Sequence, residues 1–161
     1  MIRIIGSVEG EVQLDRAIGR LTAGTRDMRV PFEKVGEDFR EVEKLQFDAE
    51  GYGWEELSPA YEATKQQQYP GKTILRRTDR LYNAMTHKQA LDNVSTVKPM
   101  EAEFGARGVA GQRGSWHQLG AGSLPQRKVI DLREQDKRMF TKTVHTYMIR
   151  LGREAGFEVM G

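Results

Sequence analysis

The stretch from Leu14 to Gln46 constrains the architecture more than any other part of the chain. Ile18, Leu21, Thr25, Met28, Phe32, Val35, Phe39, Val42 and Gln46 recur at alternating steps of three and four, with Leu14 one step earlier on the same seam. That spacing puts them on one narrow stripe of a helix or helix pair. Unbroken, residues 12 to 48 would reach about 55 Å at about 1.5 Å per residue, more than the diameter expected of a domain in a chain of 161 residues. Pro31 interrupts the stripe: its ring crowds the carbonyl of Asp27 and its nitrogen cannot donate, which predicts a kink or break near Arg29 to Pro31. Two arrangements follow. Either part of the stripe of this arm, residues 11–50, faces a partner subunit, or the chain folds back at Pro31 into a helical hairpin and buries it internally. The length favours the first, with Ile18, Leu21, Met28, Phe32, Val35 and Phe39 as the oligomer interface.

Shorter elements surround the arm. MIRIIG at the start reads as a strand ending in glycine. Ser58 offers a cap and Pro59 sits at the first helical position, so a helix starts there and runs until Pro70-Gly71 stops it. Thr78 or Asp79 caps a second helix carrying Leu81, Tyr82 and Met85, ending near His87 to Leu91. Trp54 is a core anchor. Val94, Thr96 and Lys98, then Ala102, Phe104 and Ala106, alternate as two antiparallel strands with Pro99 near their connection. Gly105 to Gly114, with four glycines, reads as a flexible loop; it lacks the Gly-Lys-Ser/Thr ending of a phosphate-cradling loop. Ser115 to Gly120 reads as a short helical turn. Val129, Ile130 and Leu132 return the chain to the core, and Asp131 to Glu134 has the spacing of a capping box. Phe140, Val144, Tyr147, Met148, Leu151 and Ala155 then mark an amphipathic helix stopped by Gly156. The expected fold is α+β: a small antiparallel sheet packed with helices in one domain, with the long N-terminal arm.

Chemistry finds little support in the sequence. The absence of cysteine excludes disulfides, thiolate metal sites and a cysteine nucleophile. His87, His117 and His145 have no second ligand at metal spacing, and no Gly-x-Ser-x-Gly turn presents a serine. The carboxylates of Glu33 to Glu56 alternate with lysines and arginines, as on a solvated, salt-bridged face. No enzyme activity, metal or cofactor is expected. A net charge of +2 permits contact with DNA without demanding it. No apolar run reaches membrane-span length and no signal-peptide pattern is present, which predicts a cytoplasmic origin.

Trp54, Leu57, Ser58, Pro59, Lys65, Lys72, Ile74, Leu75, Thr78 and Leu81, followed by His117, Gln118, Gly120, Pro125, Gln126 and Arg127, form a collinear set over residues 54 to 132. In that order and spacing the chain resembles the phage virion morphogenesis, or tail-completion, family. It departs at Asp79, where such proteins often carry glycine after the threonine. The resemblance implies a structural virion protein of the head-tail neck, a tail-completion or tail-terminator component assembled in the host cytoplasm. It further implies a homo-oligomeric ring of six, contacts with other neck and tail proteins, and transient, sequence-independent contact with passing DNA. Arg76, Arg77, Arg107 and Arg113 are the arginines offered to that DNA.

Two rival readings use the same residues differently. A nucleic-acid-binding module would employ Lys72, Arg76, Arg77, Arg80, Arg107 and Arg113, and would bind DNA tightly with a steep salt dependence. A hydrolytic site would centre on His117.

Overall fold

A computed structural model describes residues 10–157; the N-terminal strand expected at residues 1–6 lies outside the described residues. Eight elements follow one another: α1 (Glu11–Thr25), α2 (Arg29–Asp48), α3 (Pro59–Gln68), α4 (Arg80–Thr86), β1 (Asn93–Val97), β2 (Ala102–Ala106), α5 (Gly108–Leu119) and α6 (Glu134–Ala155). The arrangement is α+β, as expected, with a two-stranded antiparallel sheet.

The arm breaks, but earlier than at Arg29 to Pro31. α1 ends at Thr25 and α2 begins at Arg29, which puts Pro31 inside the first turn of the second helix. A first-turn nitrogen has no partner within its helix, so proline is tolerated there and the break precedes it. Asp27 marks the new start, its carboxylate accepting the Arg29 backbone N–H at 3.2 Å. The backbone N–H of Met28 donates to the carbonyl of Pro99 at 2.7 Å, tying the bend to the β1–β2 turn. The internal hairpin does not form. α1 packs on α6 rather than back on α2, and α2 packs on α6, α4 and both strands. The arm is bent, not folded into a hairpin. α1 runs antiparallel to α6: a side chain at Gly24 would meet Leu151, and Arg20 donates to the carbonyl of Ala155 at 2.6 Å.

Most of the expected caps and stops are in place. Ser58 caps α3 and Gly156, at φ 99°, ends α6. The strands pair from Asn93 with Ala106 to Val97 with Ala102, and Pro99 lies in the turn between them. Asp79 precedes α4 at φ 52°, the left-handed region that glycine enters freely, which is a physical reason for the glycine that the resemblance implies there. In this chain the aspartate is held by its side chain: Lys72 pairs with it, and Arg76 Nε lies 3.0 Å away. It makes no side-chain cap to α4. The capping interaction expected at Asp131 to Glu134 falls two residues later, where Asp136 accepts the N–H of Arg133 at 2.9 Å.

Gly105 to Gly114 is no loop. Gly105 and Ala106 finish β2, and α5 runs from Gly108 to Leu119. Its N-cap, Arg107, offers no side-chain acceptor, and Asp92 from the α4–β1 connection takes that role instead. The Asp92 carboxylate accepts the N–H of Ala110 at 3.1 Å, and its backbone carbonyl accepts that of Arg107 at 2.8 Å. A long-range cap and the burial of Ala110 override low helix propensity.

The core lies where α2, α4, α5 and the segment ending at Val129 meet. Phe47 is fully buried, edge-on to Trp54 at 5.5 Å and to Tyr82 at 5.6 Å; truncating such a ring costs roughly 3–5 kcal/mol. Trp54 is the anchor expected of it, its indole N–H donating to the carbonyl of Lys128 at 2.8 Å. The solvated-face reading holds for Lys34 and Asp38, paired at 2.6 Å, but fails at Glu43, which is fully buried. α2 is packed on two sides, so its buried face, including Gly36, Phe39, Val42, Glu43, Gln46 and Phe47, is broader than one heptad seam.

Candidate functional site

Eight of the sixteen motif residues, from Leu57 to Arg127, converge on one concavity of about 290 Å³. Leu57, Lys65, Ile74, Leu75, Thr78, Leu81, His117 and Arg127 line it, together with Tyr61, Arg77, Arg113 and Trp116. α3 supplies Lys65, the turn before α4 supplies Ile74 to Thr78, α5 supplies Arg113 to His117, and the chain returning to the core supplies Arg127. Arg77 and Arg113, offered together to DNA, do meet at it, whereas Tyr61 and Trp116 carried no signal of a shared site in the sequence, because they join it only through tertiary packing.

Its electrostatics are one-sided. Lys65 and Arg127 are 4% and 5% exposed. The Lys65 ammonium donates to the carbonyl of Thr73, and Arg127 donates to those of Glu55 at 2.8 Å and Glu56 at 3.2 Å. Among the described residues neither forms an ion pair. Glu50 and Glu62 favour the charge on Lys65 only from longer range, while burial, the larger effect, pushes its pKa down. Burial likewise lowers Arg127, and it lowers His117, on which the Arg127 charge acts in the same direction. The buried Nδ1 of His117 has no hydrogen-bond partner.

The arginines offered to DNA divide into two groups. Arg76 is held inside the fold: it pairs with Asp48 at 3.1 Å and with Asp79, and its guanidinium lies 3.8 Å from the centre of the Tyr82 ring. Lys72 is bound to Asp79, and Arg80 pairs with the buried Asp92 at 2.6 Å. Arg107 flanks the start of α5. Arg77 and Arg113 stand at the rim of the basic concavity, exposed, Arg77 lying 5.6 Å from the Tyr69 ring.

The residues assigned to an oligomer interface divide as well. Met28 and Phe39 are buried within the chain, Phe39 stacking on Phe104 at 6.0 Å, so this pair contributes to the fold first. Leu21, Phe32 and Val35 are half-buried. Ile18 is exposed, as is Leu14 one turn before it on the same face of α1; Val12 is exposed too, on another face. Elsewhere, α2, β2 and α6 leave an open apolar groove of about 750 Å³, lined by Phe32, Val35, Phe104, Phe140, Val144 and Met148 among others. It was not legible in the sequence, since its walls come from elements more than a hundred residues apart.

These features define a helix-rich α+β protein with one basic concavity, one apolar groove and an exposed apolar stripe on a projecting helix. Among the described residues there is no group of side chains that could hold a metal ion, and no helix is long and apolar enough to cross a membrane. The chain belongs to the phage virion morphogenesis family, whose model matches residues 10–148. Searches among curated proteins and among solved structures each returned no match. Membership carries a role in building the phage virion.

Proposed function

We propose that this chain is a tail-completion or tail-terminator component of the phage neck, forming a ring of six that joins tail to head and lets DNA pass. The observation that carries this reading is the presence of two different, complementary apolar features on one molecule. The first turns of α1 extend past the described end of α6, with Val12, Leu14 and Ile18 exposed. The groove between α2, β2 and α6 is long enough for about two helical turns, since Phe32 to Phe39 spans about 10 Å at about 1.5 Å per residue. One copy's α1 in the next copy's groove is a heterologous contact, and such a contact closes into a ring when its repeated rotation completes a full turn. Arg77, Arg107 and Arg113 are the cations left for transient contact with DNA phosphates.

Electron microscopy of lysates from the parent phage with this gene removed, then restored from a plasmid, tests the role. Filled heads lying apart from tails, rescued by the plasmid, are expected for a completion protein. Irregularly long tails would identify the terminator position, and normal joined virions would remove the neck assignment.

A further inference from the structure

We propose that the basic concavity between α3, the Ile74 to Thr78 turn and α5 is a binding site for a carboxylate-bearing, acidic segment of another protein. Lys65 and Arg127 form its inner wall, buried to more than nine-tenths and partnered only by the backbone carbonyls of Thr73, Glu55 and Glu56. Glu50 and Glu62 act on Lys65, and Glu55 on Arg127, only from beyond ion-pair distance, and for each cation burial is the larger effect; carbonyl dipoles offset only part of the cost of that burial. His117 lines the same wall, with its Nδ1 sealed inside the protein and without a hydrogen-bond partner. At the mouth, the side chains of Arg77 and Arg113 make no hydrogen bond and no ion pair among the described residues, so their donors face whatever enters. Such forked donors match a carboxylate in geometry and charge.

Shape separates a peptide from DNA. The cations lie inside a concavity of about 290 Å³, with Leu57, Leu75 and Trp116 among its walls. A side chain with an apolar neighbour can enter it; the phosphates of a duplex, fixed on a broad convex ridge, reach only the two rim arginines. The net charge of +2 is likewise far from the basic surface of a dedicated DNA binder. All these residues lie in a single chain, so the site stands or falls apart from the ring.

Trp116 sits in the wall and reports occupancy by its fluorescence, against the buried Trp54 as a constant background. The full chain would be titrated with four probes: acetyl-Glu-Leu-Asp-amide, its neutral counterpart acetyl-Gln-Leu-Asn-amide, inorganic phosphate, and a short DNA duplex. The expected result is a saturable change with the acidic peptide and binding at least tenfold weaker with the neutral one, a difference of about 1.4 kcal/mol. Arg127→Gln should abolish binding. Because Arg127 also holds the Glu55 and Glu56 backbone, the double variant Arg77→Gln, Arg113→Gln serves as the second test. It removes two rim charges whose one recorded contact within the chain is that of Arg77 with the Tyr69 ring, and binding should weaken severalfold with at most a small change in thermal midpoint. No saturable change, equal affinity for the neutral peptide, undiminished binding by the rim variant, or tighter binding of phosphate or duplex than of the acidic peptide would each overturn the proposal.

Discussion

Glu43 is the residue whose state the fold controls most strongly. Its carboxyl is fully buried, both oxygens lack a partner, and burial, with the charge of Asp136 acting in the same direction, pushes its pKa from an ordinary 4.5 up to about 8. Below the ordinary value the group is protonated in both folded and unfolded chains and carries no ionisation penalty. As pH rises from there toward 8, the unfolded chain gains the free energy of ionisation and the folded chain does not, so stability is lost across that window. At about 1.4 kcal/mol per pH unit the loss approaches about 5 kcal/mol as an upper limit. Glu43→Gln removes the titration. Its urea midpoint should exceed that of the parent at pH 8 and lie close to it at pH 4.5; parallel pH profiles for the two proteins would exclude a buried neutral Glu43. Nothing in the local sequence distinguishes this glutamate from Glu33, Glu37 or Glu41 on the exposed face. Only the second packing partner of α2 does so, and that partner arrives about ninety residues later.

At the scale of elements, legibility follows the range of the interaction that makes each one. α3 is written locally: Ser58 and Pro59 start it, and Pro70-Gly71 stops it. The same holds for the β1–β2 pair around Pro99 and for the end of α6 at Gly156. α5 is the opposite case, its glycines arguing against a helix while its cap comes from Asp92. Those glycines are explained by what they approach. A Cβ at Gly111 would lie 2.6 Å from the carbonyl oxygen of Ala106, a backbone atom of β2 that cannot give way. Alanine is normally favoured over glycine inside a helix by about 1 kcal/mol. Gly111→Ala should nevertheless destabilise the protein, by roughly 1–3 kcal/mol, because α5 is forced off the sheet. Gly19→Ala in α1 is the control: nothing lies within 4 Å of the added methyl, so this variant should be stabilised by up to about 1 kcal/mol. Thermal unfolding of both variants reads the two signs directly.

For the whole molecule, the decisive property is that its exposed apolar stripe and its apolar groove are different surfaces. The heptad pattern of the arm made the stripe visible in sequence, whereas its division into a buried part at Met28 and Phe39 and an exposed part at Leu14 and Ile18 depends on where α6 lies. If one copy's stripe seats in the next copy's groove, each copy has two unlike ends, and blocking one end leaves the other competent. Leu14→Asp with Ile18→Asp should yield a folded monomer, since both side chains already meet solvent. Val144→Asp, which places a charge in the half-buried groove wall, should also yield a monomer, and circular dichroism would verify that it folds. Mixed in equal amounts, the two variants retain one intact stripe and one intact groove between them. Light scattering should then find a species of two chains and nothing larger, because each pair presents only damaged ends to further copies. The parent protein under the same conditions should give one closed ring. A contact made by like surfaces predicts otherwise: two monomeric variants would stay monomeric on mixing, and that outcome would rule out the stripe-in-groove ring.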